Sequence, residues 1–142
     1  MVNISRLNSF SYLASFAVLV FLCSPAIRAA ERMASGEWEF AMTTDGSTRT
    51  IKQCITPDKA SEVNGDSKSG RDSVEKSAKG RCAVKSYEIA GDTVSYSLTC
   101  GGTQIESVTT FHGDSSEGSK VTTTAGESIK TQIKARRLGA CP

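Results

Sequence analysis

Thr93-Val94-Ser95-Tyr96-Ser97-Leu98-Thr99-Cys100 alternates without a break, with Val94, Tyr96, Leu98 and Cys100 on one side and Thr93, Ser95, Ser97 and Thr99 on the other. Successive side chains of a strand point to opposite faces, so this period of two reads as a β-strand with one face on a core and one face wet. A Gly91-Asp92 turn precedes it and joins it to a similar run over 82–89. Gly101-Gly102 follows it, and further alternating runs span 104–111, 119–124 and 128–136. Between these lie His112-Gly113-Asp114-Ser115-Ser116-Glu117-Gly118 and Ala125-Gly126-Glu127, both rich in turn-forming residues. Toward the N-terminus, Trp38, Phe40 and Met42 share a face opposite Glu37, Glu39 and Ala41, and Asp45-Gly46-Ser47 turns this strand into another at 48–55.

Seven short strands with turns about every ten residues predict a mainly β protein, an antiparallel meander. Apolar residues make up only 38% of the chain, too few for a thick double core, so a curved sheet or partly closed barrel is expected. One short helix is predicted near 57–64: Thr56 suits the N-cap, Pro57 the first helical position and Asn64-Gly65 the end. From Asp66 to Arg81 the chain is Ser-, Gly-, Lys- and Asp-rich, which predicts a mobile polar loop near 65–81 with at most a helical turn at 73–78.

The N-terminus has the n, h and c regions of a signal peptide: Arg6, an apolar run over 12–23, then Pro25 and the small residues Ala26, Ala29 and Ala30. The run is about a dozen residues, short of the roughly 20 that a spanning helix needs. Bulky Leu22 before Cys23 argues against lipid attachment there. Residues 1–29 are therefore expected to be removed, leaving a single domain over 30–142 in the periplasm or outside the cell. Loss of Arg6 and Arg28 lowers Lys+Arg from 17 to 15 against 15 Asp+Glu, so the net charge falls from +2 to 0. A neutral domain argues against general binding to nucleic acid or anionic membranes, both of which need concentrated positive charge.

Without Cys23, four cysteines remain: Cys54, Cys82, Cys100 and Cys141. In an exported domain an even number reads as a disulfide framework. Of the three pairings, Cys54 with Cys82 and Cys100 with Cys141 is favoured, the first closing the polar segment and the second tying the C-terminus to a strand. No C-x-x-C spacing occurs, and the single histidine, His112, has no second histidine to join in a metal site.

Gly36-Glu37-Trp38-Glu39, Gln53-Cys54-Ile55-Thr56-Pro57, Cys82 with Tyr87, the run from Gly91 to Cys100, Gly113-Asp114-Ser115 and Arg137-Leu138-Gly139-Ala140-Cys141 together resemble one family. It is the bacterial exported family known as domain of unknown function 3617, and the resemblance covers essentially the whole chain beyond the signal. It implies export and a small β-rich fold, with no activity and no site residues to carry over. The chain departs from many relatives in having Tyr96 and Leu98 where they carry Trp and Met, so any role of methionine in them does not transfer.

Candidate chemistry is sparse. Trp38 between two glutamates has the look of a stacking site, although a single Trp opening an alternating strand is more commonly a core anchor. Glu37 and Glu39, about 7 Å apart on one face of a strand, have the separation of a glycosidase pair, but exposed strand carboxylates are far commoner. His112 beside Gly113-Asp114 falls in a turn, with no G-x-S-x-G elbow to accompany it. Asp66, Asp72, Asp114 and Glu117 offer oxygen ligands, but Lys68 and Arg71 interrupt the first pair and no EF-hand glutamate follows. Lys130, Lys134 and Arg136 share a face and read as the charged guard of an edge strand. The expectation is a non-enzymatic exported protein without cofactor or metal. It would bind a small apolar ligand, with Trp38, Phe40, Tyr96 and Phe111 as the lining, or an envelope protein. The alternatives are a carboxylate-based hydrolase and a structural subunit of an envelope assembly.

Overall fold

A computed structural model of the protein describes residues 31–142; the expected signal peptide, 1–29, lies outside them. The strands are β1 (Gly36–Thr44), β2 (Ser47–Ile55), β3 (Ala83–Ala90), β4 (Thr93–Cys100), β5 (Thr103–Phe111), β6 (Ser115–Thr124) and β7 (Glu127–Gly139), with helices α1 (Pro57–Asn64) and α2 (Ser67–Ala78) between β2 and β3. All seven expected strands form. The sixth starts four residues earlier than its alternation implies, so the turn expected over 112–118 shrinks to His112-Gly113-Asp114.

The strands make one antiparallel sheet in the order β2-β1-β7-β6-β5-β4-β3. From β3 to β7 it is the expected meander. The β1–β2 hairpin is added beyond β7, so the first strand pairs with the last, Phe40 opposite Ala135 and Met42 opposite Ile133. β2 and β3 are the two edges, and the sheet does not close.

This order forces the chain to leave β2 at one edge and re-enter as β3 at the other. Six inter-strand gaps amount to about 29 Å in a flat sheet, and helices of 8 and 12 residues measure about 12 and 18 Å. The two helices are thus long enough to carry the chain across one face of the sheet. α1 starts as expected, with Pro57 in its first turn and the Thr56 hydroxyl accepting from the Lys59 amide at 3.3 Å.

The segment expected to be a mobile loop is α2, a correction with identifiable causes. The Asp66 carboxylate accepts from the Ser69 amide at 2.8 Å and caps the helix, a bond that holds the Asp66 carboxyl below its ordinary pKa. Lys68 pairs with Asp72 at 2.8 Å and Arg71 with Glu75 at 3.0 Å, each one turn apart. Arg71 also donates to the Val84 carbonyl of β3 at 2.9 Å. The helix needs little apolar surface because glycine makes its closest approach: Gly70 is buried, and a Cβ there would collide with the Tyr87 ring.

The disulfides also differ from expectation. Cys54 is bonded to Cys141, with 5.4 Å between Cα atoms, and Cys82 to Cys100, with 4.1 Å. The expected Cys54–Cys82 bond would join opposite edges of the sheet, far beyond the roughly 7 Å that a disulfide spans. The ladder itself dictates the observed pairs. Ala83 opposite Thr99 brings Cys82 to Cys100. Glu37 lies between Cys54 and Gly139, which delivers Cys141 to Cys54.

Trp38 is fully buried and heads a core with Met33, Ile55, Ala60 and Ala135, against which Phe40, Val63 and Phe111 pack. Its indole N–H donates to the Ala34 carbonyl at 2.9 Å. Residues 32–34 strap α1 down. Arg32 donates to the carbonyls of Val63, at 2.9 Å, and Gly65, while Asn64 exchanges two 2.9 Å bonds with the Met33 backbone. The same strap pairs with Gly113 in the β5–β6 turn.

In the chain-entropy model, closing the 87-residue and 18-residue intervals stabilises by about 4.5 and about 3 kcal/mol. Non-reducing peptide analysis should recover Cys54 joined to Cys141 and Cys82 joined to Cys100, and the double variant C54S/C141S should lose more stability in urea than C82S/C100S. The β6–β7 turn has Ala125 at φ 52° and Gly126 at φ 86°, a two-residue turn whose first position disfavours alanine. Ala125→Asn should raise stability by about 0.5–1 kcal/mol, read as an upward shift in Tm.

Candidate functional site

Alternation divides the sheet into two unlike faces. The open face carries Ser and Thr in cross-strand hydroxyl pairs, Thr43–Thr48, Ser86–Ser97, Thr93–Thr110 and Thr123–Ser128, all at 2.7–2.9 Å. The helix-bearing face carries the apolar residues, but α1 and α2 do not seal it. Among the large apolar residues of the strands, only Trp38, Ile55, Val84 and Val94 are buried, while Phe40, Met42, Tyr96, Phe111 and Ile133 are left half-buried.

These half-buried side chains surround a cleft of ≈ 460 Å³ between the sheet and the helices. One wall is Phe40 and Met42 of β1, Ile51 of β2 and Ile133 of β7; the other is Tyr96 of β4 and Phe111 of β5. Its floor is small and hydroxylic, with Ser107 and Thr109 of β5 and Ser116 of β6, and Ser107 and Ser116 are themselves buried. Val63, Lys59 and Glu62 of α1 and Ser77 of α2 form the roof and rim. Ile51 and Tyr96 lie five strands apart, about 24 Å in a flat sheet, so their meeting around one cleft requires the sheet to curl.

A smaller cavity of ≈ 150 Å³ shares Val63, Tyr96, Thr109 and Phe111 with the cleft and continues under α2 to Val74, Tyr87 and Val94. Tyr87 stacks on Tyr96 with 6.3 Å between centroids and 10° between planes. Burial pushes the Tyr87 phenol above its ordinary pKa, against the opposing pull of Arg32. Tyr96 lines both compartments and Tyr87 the smaller one.

Of the four aromatic residues expected to line a ligand site, Phe40, Tyr96 and Phe111 border this cleft. Trp38 does not, because it is the buried anchor of the core, one turn of alternation away from Phe40. Met42, Ile51, Val63 and Ile133 were not singled out by their sequence. Period two already put Met42 on the face of Trp38 and Phe40, whereas Ile51 and Ile133 join the wall only through the β2-β1-β7 order, which no local pattern encodes.

The other candidates are distributed as follows. Glu37 and Glu39 belong to the open face, and Glu39 accepts from the Arg136 guanidinium at 2.8 and 2.9 Å, a cross-strand pair between β1 and β7. His112 sits in the tight β5–β6 turn, its amide donating to the Ser115 carbonyl at 2.8 Å. Asp66 caps α2, Asp72 pairs with Lys68, Asp114 lies 3.7 Å from Arg137, and Glu117 is registered opposite Lys134. Among the described residues no three His, Cys, Asp or Glu side chains come together in a way that would hold a metal ion. The reading of Lys130, Lys134 and Arg136 as an edge guard is corrected: β7 is an interior strand between β1 and β6, and these cations line the open face. No helix among the described residues is long and apolar enough to cross a membrane.

No curated protein and no solved structure matches the chain. A family model does, over residues 33–141, from Met33 in the middle of the strap to the last cysteine. With its core, both disulfides and the whole cleft inside that match, the chain belongs to the family described as Protein of unknown function (DUF3617).

Proposed function

We propose that the protein is an exported, non-enzymatic binding protein that holds a small apolar molecule in the cleft between its sheet and its helices. The observation that carries this reading is the floor of the cleft. Ser107, Thr109 and Ser116 stand where larger apolar side chains would fill the space and complete the core, as interiors packed for stability alone are filled. Leaving that space forgoes dispersion contacts for every side chain around it, which a ligand would restore. Its volume falls within the roughly 300–1,000 Å³ of small-molecule sites.

Export is supported by the signal-like residues 1–29 and is compatible with two disulfides. A carboxylate hydrolase finds little support: Glu39 is held by Arg136 on the face away from the cleft, and Glu62, the carboxylate at the rim, accepts from Ser73 at 2.7 Å.

The test uses the mature protein and the apolar fluorophore N-phenyl-1-naphthylamine, alongside native mass spectrometry of protein purified from its own compartment. The expected result is saturable binding of one fluorophore. Thr109→Trp, which fills the floor, and Ile51→Arg, which charges the wall, should each weaken it at least about tenfold, or 1.4 kcal/mol, with the cooperative unfolding transition retained. Undetectable binding by the parent protein, or equal binding by two folded variants, overturns the proposal.

A further inference from the structure

The charges around the cleft are not balanced. The strand carboxylates Glu37, Glu39, Glu88, Glu106 and Glu117 alternate onto the open face, and on the helix-bearing face only Glu127 appears, at the β6–β7 hairpin tip. That face carries Arg49, Lys120 and Arg137. Arg137 is occupied, donating to the Ser35 carbonyl at 2.7 Å and lying 3.7 Å from Asp114. Arg49 and Lys120 are not. Arg49 is registered opposite Met42 of the cleft wall and Lys120 opposite Ser107 of its floor.

α1 adds Lys59 directly at the rim. Among the described residues, none of Arg49, Lys59 and Lys120 is within ion-pair distance of a carboxylate. Lys59 and Glu62 therefore both line the rim of an apolar cavity, Glu62 also accepting from Ser73, and Arg49 and Lys120 stand next to lining residues on the same face, which leaves two cations in excess. Apolar walls with cations at the opening complement a molecule that is apolar at one end and anionic at the other. A volume of ≈ 460 Å³ lies toward the lower end of the range for ligand sites and suits one aliphatic chain better than two.

We infer that the ligand is a single-chain amphiphile with an anionic carboxylate head, a free fatty acid. Its chain would lie against Phe40, Met42, Phe111 and Ile133, and its carboxylate would face Lys59, with Arg49 and Lys120 adding to the field. This rests on the cleft being a binding site, as proposed above, and adds the sign and position of the headgroup.

The experiment is competition against bound N-phenyl-1-naphthylamine by dodecanoate, dodecanol and dodecyltrimethylammonium, each below its micellar concentration, at low and high salt. Dodecanoate should displace the probe best and the cationic amphiphile worst. Each exposed cation contributes about twofold to threefold at low salt, so dodecanoate should exceed dodecanol by about tenfold, with the margin shrinking as salt screens it. Lys59→Gln should reduce that margin and the triple variant K59Q/R49Q/K120Q abolish it, by lowering the affinity for dodecanoate more than that for dodecanol. If dodecanol matches dodecanoate in the parent protein, the headgroup inference fails while the cleft reading stands. If the variants keep the full margin, the assignment to these cations fails. If no amphiphile displaces the probe, the inference fails, while the cleft reading, which is tested by binding of the probe itself, stands.

Discussion

The pairing of β1 with β7 is the constraint from which the rest of the architecture follows. A hairpin at the start of the chain is bound to the last strand, so the connection after β2 must reach the far edge before the meander can begin. Only one face of the sheet is free for that crossing, because the open face is given over to charged residues and paired hydroxyls. The two helices cover that face without packing fully against it, and the space left between them and the sheet is the cleft. Trp38 sits at the point of greatest demand, under α1 and next to both strand partners, with the strap 32–34 holding helix, indole and β5–β6 turn together.

What was legible in the sequence was local. Alternation in Thr93–Cys100 and its neighbours identified seven strands and, in β1 and β4, the face turned inward, and Thr56-Pro57 located α1. α2 was hidden because its stabilisation comes from an aspartate cap, ion pairs along its surface and a glycine against Tyr87, none of which raises the apolar periodicity by which helices are recognised. Strand order was hidden for a different reason. Nothing in residues 128–136 distinguishes an interior strand with a charged outer face from an edge strand guarded by charge, so Lys130, Lys134 and Arg136 were assigned to the wrong setting. The cysteine pairing depended on that same order and failed with it.

The candidate site shows the same division. Phe40, Tyr96 and Phe111 were found because large aromatic residues on an inward face have few places to go. Trp38 went to the core, the largest and least polar burial available. The cleft itself is defined as much by what is small, Ser107, Thr109 and Ser116, as by what is large. Small residues on an inward face carry no signal until the strands opposite them are known. The strand carboxylates also sort by face, all but Glu127 being turned to the open face.

The nested disulfides bear on the order in which the domain is completed. Cys82 and Cys100 lie wholly inside the interval closed by Cys54 and Cys141. A chain oxidised from its N-terminus onward meets Cys54 and Cys82 first, and a bond between them would bridge edges that the finished sheet keeps apart. Such a bond has to be exchanged through thiolate attack before the sheet can form. Cys141 lies two residues beyond the end of β7 and is positioned with it. The outer bond therefore acts as a seal on a finished ring of contacts: it forms only when the first strand has found the last, and until then neither the tryptophan core nor the cavity beside it has a complete wall.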